Sequence, residues 1–146
     1  MTTNSPTPDN SGKRTEAESF KASALSISLT VKDLATSLAW YHDVLGFDID
    51  RKIEREGKLR SVALCAGAAR ISINQDDGAK GWDRNKGQGF SLNITTEQNI
   101  DKIANRIKEL GGVLEKEPAD MPWGVRLFRL KDPDGYTLGI SSPRPA

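Results

Sequence analysis

A chain of 146 residues fits one ordinary domain, and its 21 Lys and Arg against 20 Asp and Glu leave a formal net charge of +1. That balance gives no electrostatic footprint for nucleic acid or an anionic membrane surface. No run of about 18 apolar residues occurs, so no transmembrane helix is expected and the chain reads as a soluble, cytoplasmic protein.

Residues 1–22 are polar, carry Pro6 and Pro8, and apart from Met1 hold Phe20 as their one large apolar side chain. Such a segment cannot bury enough surface to offset its ordering entropy, which predicts a disordered tail. Ser26–Val31 then alternates, with Ile27, Leu29 and Val31 on one face and Ser26, Ser28 and Thr30 on the other, as in a half-buried strand. Asp33 can cap a helix whose Leu34, Leu38, Tyr41 and Leu45 form one apolar stripe, with Gly46 as its left-handed stop. His42, the only histidine, lies off that stripe and faces solvent, without a partner that would make it a base or a ligand. Trp40 reads as a core or dimer contact.

Strands follow at Phe47–Ile53 and Ser61–Ala66, the latter holding the single Cys65 in an apolar run. One cysteine cannot form a disulfide within the chain and reads as a buried structural thiol. Arg70–Asn74 alternates again. The charged, glycine-containing stretch 76–87 reads as a linker, its Asp76 and Asp77 as solvated loop residues. Its Trp82 is either a lid over a pocket or an anchor at a subunit contact.

After the linker, Phe90–Thr95 alternates, and Thr95 and Gln98 stand at capping-box spacing before a helix striped by Ile100, Ile103, Ile107 and Leu110 and ended by Gly111. Val113–Glu117 and Val125–Leu130 read as strands. Trp123 before the second of these either walls a pocket or packs against the helix. Arg126 and Phe128 share one face of it; if that face is the open one, Arg126 anchors an anionic group and Phe128 stacks on a ring. Asp132-Pro133-Asp134-Gly135 is a turn with Asp first, Pro second and Gly fourth, leading into Thr137–Ser141.

The order strand, helix, strand, strand, strand occurs twice at an offset of about 65 residues. The expected fold is α+β: two βαβββ modules, 23–75 and 88–142, making an open cup-shaped mixed sheet with helices on its outer face, as one domain over 23–142. The faces turned away from the helices carry Ser26, Ser28, Ser72, Asn74, Ser91, Asn93, Thr137 and Ser141. Small uncharged hydrogen-bonding groups from four strands suit a shared ligand pocket, although a half-wet antiparallel sheet face gives the same pattern.

Two stretches carry a family resemblance. Leu29–Tyr41 with Val44-Leu45-Gly46-Phe47 resembles the opening, and Trp123–Phe128 with Asp132–Tyr136 the ending, of the glyoxalase/bleomycin resistance/dioxygenase group, the vicinal oxygen chelate superfamily. The resemblance covers roughly residues 24–142. It implies the fold above but not one activity, since that fold hosts isomerases, lyases, ring-cleaving dioxygenases and drug-binding proteins. Metal-dependent members place a His, Glu or Gln on the first and last strand of each module. Carried over, those positions fall on Ser26, Ser72, Gly89 (with Gln88 adjacent) and Gly139, and none supplies an imidazole or a carboxylate. The resemblance therefore implies a metal-free, cofactor-free, bleomycin-resistance-like homodimer that binds a small molecule such as a drug or aromatic metabolite. A lyase or isomerase working without the usual metal is the alternative, and a regulatory dimer with a vestigial pocket the third. The expected ligand-binding residues are Ser26, Ser28, Ser72, Asn74, Trp82, Ser91, Asn93, Trp123, Arg126 and Phe128; no catalytic residue is assigned.

Overall fold

A computed structural model describes residues 15–144. The tail expected to be disordered lies, over residues 1–14, outside the described residues; residues 15–22 are exposed, with a turn in which the Ser19 N–H donates to the Thr15 carbonyl.

All eight expected strands form. They are β1 (Ser26–Val31), β2 (Asp48–Arg55), β3 (Lys58–Ala66), β4 (Ala69–Gln75), β5 (Ser91–Thr95), β6 (Leu114–Asp120), β7 (Val125–Lys131) and β8 (Thr137–Pro143). They make two four-stranded mixed sheets with the same topology, β1-β4-β3-β2 and β5-β8-β7-β6. In each, the first strand runs parallel to the fourth and the other pairs are antiparallel. A parallel first-to-fourth pairing requires a crossover, and a helix after the first strand supplies it. This is the twice-repeated α+β architecture that the element order implies.

The first helix, α1 (Leu34–Ala39), starts at Asp33, whose carboxylate accepts the Thr36 N–H at 3.3 Å. It continues as a π-helical turn, Trp40–Val44, and stops where Gly46 adopts φ +93°. The second, α2 (Ile100–Glu109), is capped by Asn99, whose side chain accepts the Lys102 N–H at 3.0 Å. The expected Thr95–Gln98 capping box does not form. Thr96 instead accepts the Gln98 N–H in a local turn, and a closer Asn ahead of the first apolar residue takes the cap. Ile100 and Ile107 are buried with Ala104, whereas Leu110, expected on the stripe, is exposed just past the helix end.

The apolar alternates of both sheets pack with the two helices into one core, from Leu29, Val62 and Ile73 to Phe128, Leu130 and Leu138. Polar groups also join the modules there. Tyr41 on the first helix donates its hydroxyl to Asp132 in the β7–β8 turn at 2.7 Å, wholly within the interior. The same carboxylate accepts the Asp134 and Tyr136 N–H groups, each at 2.9 Å. Tyr136 in turn reaches the Thr30 carbonyl at 3.0 Å, and Asp134 accepts the Lys32 N–H.

Burial raises the Asp132 carboxyl above the usual carboxylate range, against the pull of its donors, and raises the Tyr41 hydroxyl for the same reason. Trp40 is half-buried against this core, edge-on to Tyr41 with ring centroids 4.8 Å apart. Gly112 is a second joint, because a Cβ there would lie 2.5 Å from Ile107 and 3.0 Å from Val44 of the other module.

Two outcomes are expected from this joint. Tyr41→Phe leaves a buried carboxylate oxygen short of a donor and should lower unfolding stability by about 1–3 kcal/mol in urea with an unchanged m-value. Gly112→Ala should cost a similar amount, about 1–3 kcal/mol, by overpacking the contact between the helices.

Candidate functional site

The face of each sheet turned away from the core is its open face. On the first sheet, register sets Ser28 beside Ser72, Thr30 beside Asn74 and Ser26 beside Arg70, with Ser61, Ala63 and Cys65 of β3 continuing the row. Four expected ligand residues, Ser26, Ser28, Ser72 and Asn74, are thus brought together. Asn74 is already engaged: it accepts the Ser61 hydroxyl at 2.7 Å and donates to the Leu29 carbonyl at 3.2 Å. Cys65, expected to be a buried thiol, is half-buried on this open face, because it falls at the parity of Ser61 and Ala63 rather than of Val62 and Leu64.

On the second sheet, Ser91 pairs with Thr137 and Asn93 with Gly139, and across the hairpin Arg129 pairs with Gly139 and Lys131 with Thr137. A cavity of about 600 Å³ opens on this face, lined by Gln88, Gly89, Phe90, Ser91, Glu115, Arg129, Lys131 and Thr137 among others. Ser91 is the one expected ligand residue in it. None of Ser26, Ser28, Ser72 or Asn74 lines it, so within one chain the serines of the two sheets do not meet there.

Two expectations, at Phe128 and Arg126, need correction, and Trp82 and Trp123 stand outside the cavity lining. Phe128 is fully buried in the core, on the face opposite the cavity, and cannot stack on a ligand. Arg126 shares that face and is held by Asp101 of α2, at 2.9 Å to each oxygen, and by Asp120 at 3.0 Å. Those carboxylates raise its guanidinium pKa, and it holds both of them below the usual range. Trp82 lies flat on Gly78, where a Cβ would meet its ring at 2.4 Å; it packs within the linker rather than over either open face, though 49% exposed. Trp123 sits at the β6–β7 turn, 67% exposed, outside the cavity lining.

The linker departs from expectation as well. Asp76 is buried, not solvated. It accepts the Gly78 N–H at 3.0 Å and pairs with Arg84 and with buried Lys86, each at 3.3 Å. The Gly78 amide chiefly, then Lys86 and Arg84, hold its carboxyl low. Asp77 is exposed and accepts the Ala79 N–H. His42 is exposed, as expected, beside Asp43 at 2.7 Å.

What sequence reasoning missed is Arg129. It is the arginine of β7 that reaches the open face, set by its pairing with Gly139.

The sequence profile of the Glyoxalase/Bleomycin resistance protein/Dioxygenase superfamily matches residues 23–140. The chain belongs to that superfamily. Among curated relatives, a probable lactoylglutathione lyase of Synechocystis sp. is 27% identical over 118 residues, 77% of this chain and 88% of that protein. Lactoylglutathione lyase GLX1 of Arabidopsis thaliana is 26% identical over 127 residues, 83% of this chain but 44% of that protein, so the chain spans under half its length. Among solved structures, TioX from Micromonospora sp. ML1 superposes with a TM-score of 0.67 at 18% identity, over 84% of this chain and 99% of that one. A superfamily member from Sphaerobacter thermophilus gives 0.67 at 24% identity, over 84% and 98%.

The four positions that the resemblance assigns to metal ligands, Ser26, Ser72, Gly89 and Gly139, do not fit a divalent metal. Two are hydroxyls and two have no side chain, and no group of three His, Cys, Asp or Glu able to hold a metal occurs among the described residues. Space and charge oppose it too. A Cβ at Gly139 would lie 2.9 Å from the Asn93 side-chain oxygen and 3.9 Å from the Arg129 stem, and Arg70 stands beside Ser26. The unpaired Arg129 beside Gly139 repels a further cation, whereas the charge of Arg70 is met by Asp50 at 3.8 Å.

The lowered carboxyls set an acid dependence. Asp76, Asp101 and Asp120 sit below their unfolded values, so their contribution is complete above about pH 4 and is lost as pH falls through their folded values. Asp132 works the other way: its raised folded value means it takes up a proton first and offsets part of the loss. Urea midpoints followed from neutral pH into the acid range should fall, and Asp76→Asn should flatten that fall.

Proposed function

We propose that the chain is a small-molecule binding protein of the glyoxalase/bleomycin resistance superfamily that works without the divalent metal. The observation that carries this reading is at Gly139, where the Asn93 side chain and the Arg129 stem stand over a residue with no donor. Metal-assisted polarisation of a substrate oxygen needs ligands that these positions lack. What remains is a cavity lined by the hydroxyls of Ser91 and Thr137, the amides of Asn85 and Gln88, the Lys131–Glu115 pair and Arg129, with Phe90 exposed at its edge, which suits hydrogen bonding and stacking on an aromatic or drug-like molecule.

The pocket is completed in a homodimer. Bearing on this, β2 is an edge strand exposed along all eight residues, on which Ile49 and Ile53, 37% and 40% exposed, are the two apolar side chains a second copy could cover among six charged ones. A second reading, a lyase-type enzyme of the same fold acting without the usual metal, is favoured by the names of the curated relatives. Against it, the sole histidine is exposed beside Asp43 outside the cavity, and the carboxylate in the lining, Glu115, is paired with Lys131 at 3.2 Å.

Elemental analysis of the purified chain should find metal well below one per chain after dialysis; a retained equivalent of Zn, Ni, Fe or Mn overturns the metal-free reading. In a thermal-shift screen of aromatic drugs and metabolites, a compound at a hundred times its Kd should stabilise the fold by about 2.7 kcal/mol, a shift of several degrees. The absence of any hit across a broad panel would leave the vestigial-pocket reading in its place.

A further inference from the structure

Two arginines of the described residues are half-buried, Arg126 and Arg129, three positions apart on one strand. Arg126 is saturated by Asp101 and Asp120. Arg129, on the opposite face, has no carboxylate partner and no side-chain hydrogen bond among the described residues, although it lines the cavity of about 600 Å³. The other charges around that cavity cancel. Lys131 is 3.2 Å from Glu115, and buried Lys86 pairs with Asp76 at 3.3 Å and Asp134 at 3.8 Å. One guanidinium is left over, partly withdrawn from water, with its five donors unspent.

We infer that Arg129 is the anchor for the acid group of the ligand, and that the ligand is a small organic carboxylate whose apolar body lies against Phe90. This rests on the binding reading above and specifies the ligand class. A fork of parallel N–H groups matches a carboxylate in charge and in geometry. A phosphate dianion fits less well, because one cation leaves half its charge uncompensated and Glu115 borders the same cavity. Gly139 makes the arrangement possible. A Cβ there would press on the Asn93 side-chain oxygen at 2.9 Å, while the Arg129 stem lies at ordinary contact distance, 3.9 Å, so a larger side chain would compete with both for the space beside the guanidinium. The hydroxyls of Ser91 and Thr137, neighbours on paired strands and both in the lining, are available to the carboxylate's outer lone pairs. Phe90, 42% exposed and edge-on to Tyr136 with centroids 6.2 Å apart, offers a fixed apolar surface beside them.

The test is a matched pair of probes, naphthoate and naphthamide, titrated by calorimetry or by chemical-shift perturbation into the full chain, with inorganic phosphate as a third arm. Naphthoate should bind at least about tenfold more tightly than naphthamide, its affinity should fall with added salt, and phosphate should bind more weakly than naphthoate. Arg129→Gln should erase the preference by weakening naphthoate about tenfold while leaving naphthamide unchanged. Arg126→Gln, which removes the helix-side ion pairs and borders a different cavity, of about 570 Å³, should keep the preference. Equal binding of the two probes by the parent chain, a preference that survives Arg129→Gln, or phosphate binding that matches naphthoate would each overturn the carboxylate assignment while leaving small-molecule binding intact. Binding of none of the three overturns this assignment, and a blank across the broader thermal-shift panel removes the binding reading with it.

Discussion

The buried Asp132 carboxylate ties the two halves of the molecule together. A carboxylate in an apolar interior is costly unless its lone pairs are filled. Here the Tyr41 hydroxyl arrives from the first module, and the Asp134 and Tyr136 amides arrive from its own turn. The acid reinforces a turn that the Gly135 and Asp132 backbone hydrogen bonds already close, and the tyrosine ties the first helix to it. The π-helical stretch Trp40–Val44 belongs to the same constraint, since Tyr41 lies within it, wholly buried. Tyr136 and Asp134 then bind the backbone at Thr30 and Lys32, so the end of β1 is fixed to the same turn.

This joint breaks the symmetry that the repeated modules would otherwise have. The β7–β8 connection, Asp132–Tyr136, is long enough to insert its own acid groups between the modules. The corresponding β3–β4 connection is only Gly67-Ala68 and inserts nothing. At that end a cleft of about 710 Å³ remains, lined by Leu45, Phe47, Ala68, Ile94, Ile103 and Ile140 among others. Two modules of one topology are therefore clasped at one end and open at the other, and the difference traces to the length and chemistry of a single turn.

The element order was legible because each strand alternates and each helix carries an apolar stripe, signals set by the chain's own period. The polar open faces were legible for the same reason: Ser28 does lie beside Ser72 and Asn93 beside Gly139. β7 resisted that reading. Leu127 and Phe128 are adjacent and both buried, one against Gly139 on the open face and one in the core, so apolar character does not identify either face. The parity was recoverable from its partner strand. Thr137 and Ser141 mark the open face of β8, and counting back through the Asp-Pro-Asp-Gly turn sets Gly139 opposite Arg129. Burial of Asp76 was not legible at all, because it depends on Lys86, ten positions along the same linker, folding back on it.

Parity also explains why two arginines so close in sequence end in different chemistry. A strand sends successive side chains to opposite faces, so positions three apart face opposite ways. Arg126 falls on the helix side, where Asp101 in the first turn of α2 waits for it, and its charge is spent on holding helix to sheet. Arg129 falls on the side with no helix and no free acid, opposite a glycine that leaves its stem room to lie flat. Exchange the glycine for a glutamate, and the arginine would gain an internal partner on the facing strand. The bare position at 139 and the unpaired guanidinium at 129 are thus one feature seen from two sides: with no acid on the facing residue, the cation at 129 has no carboxylate partner among the described residues.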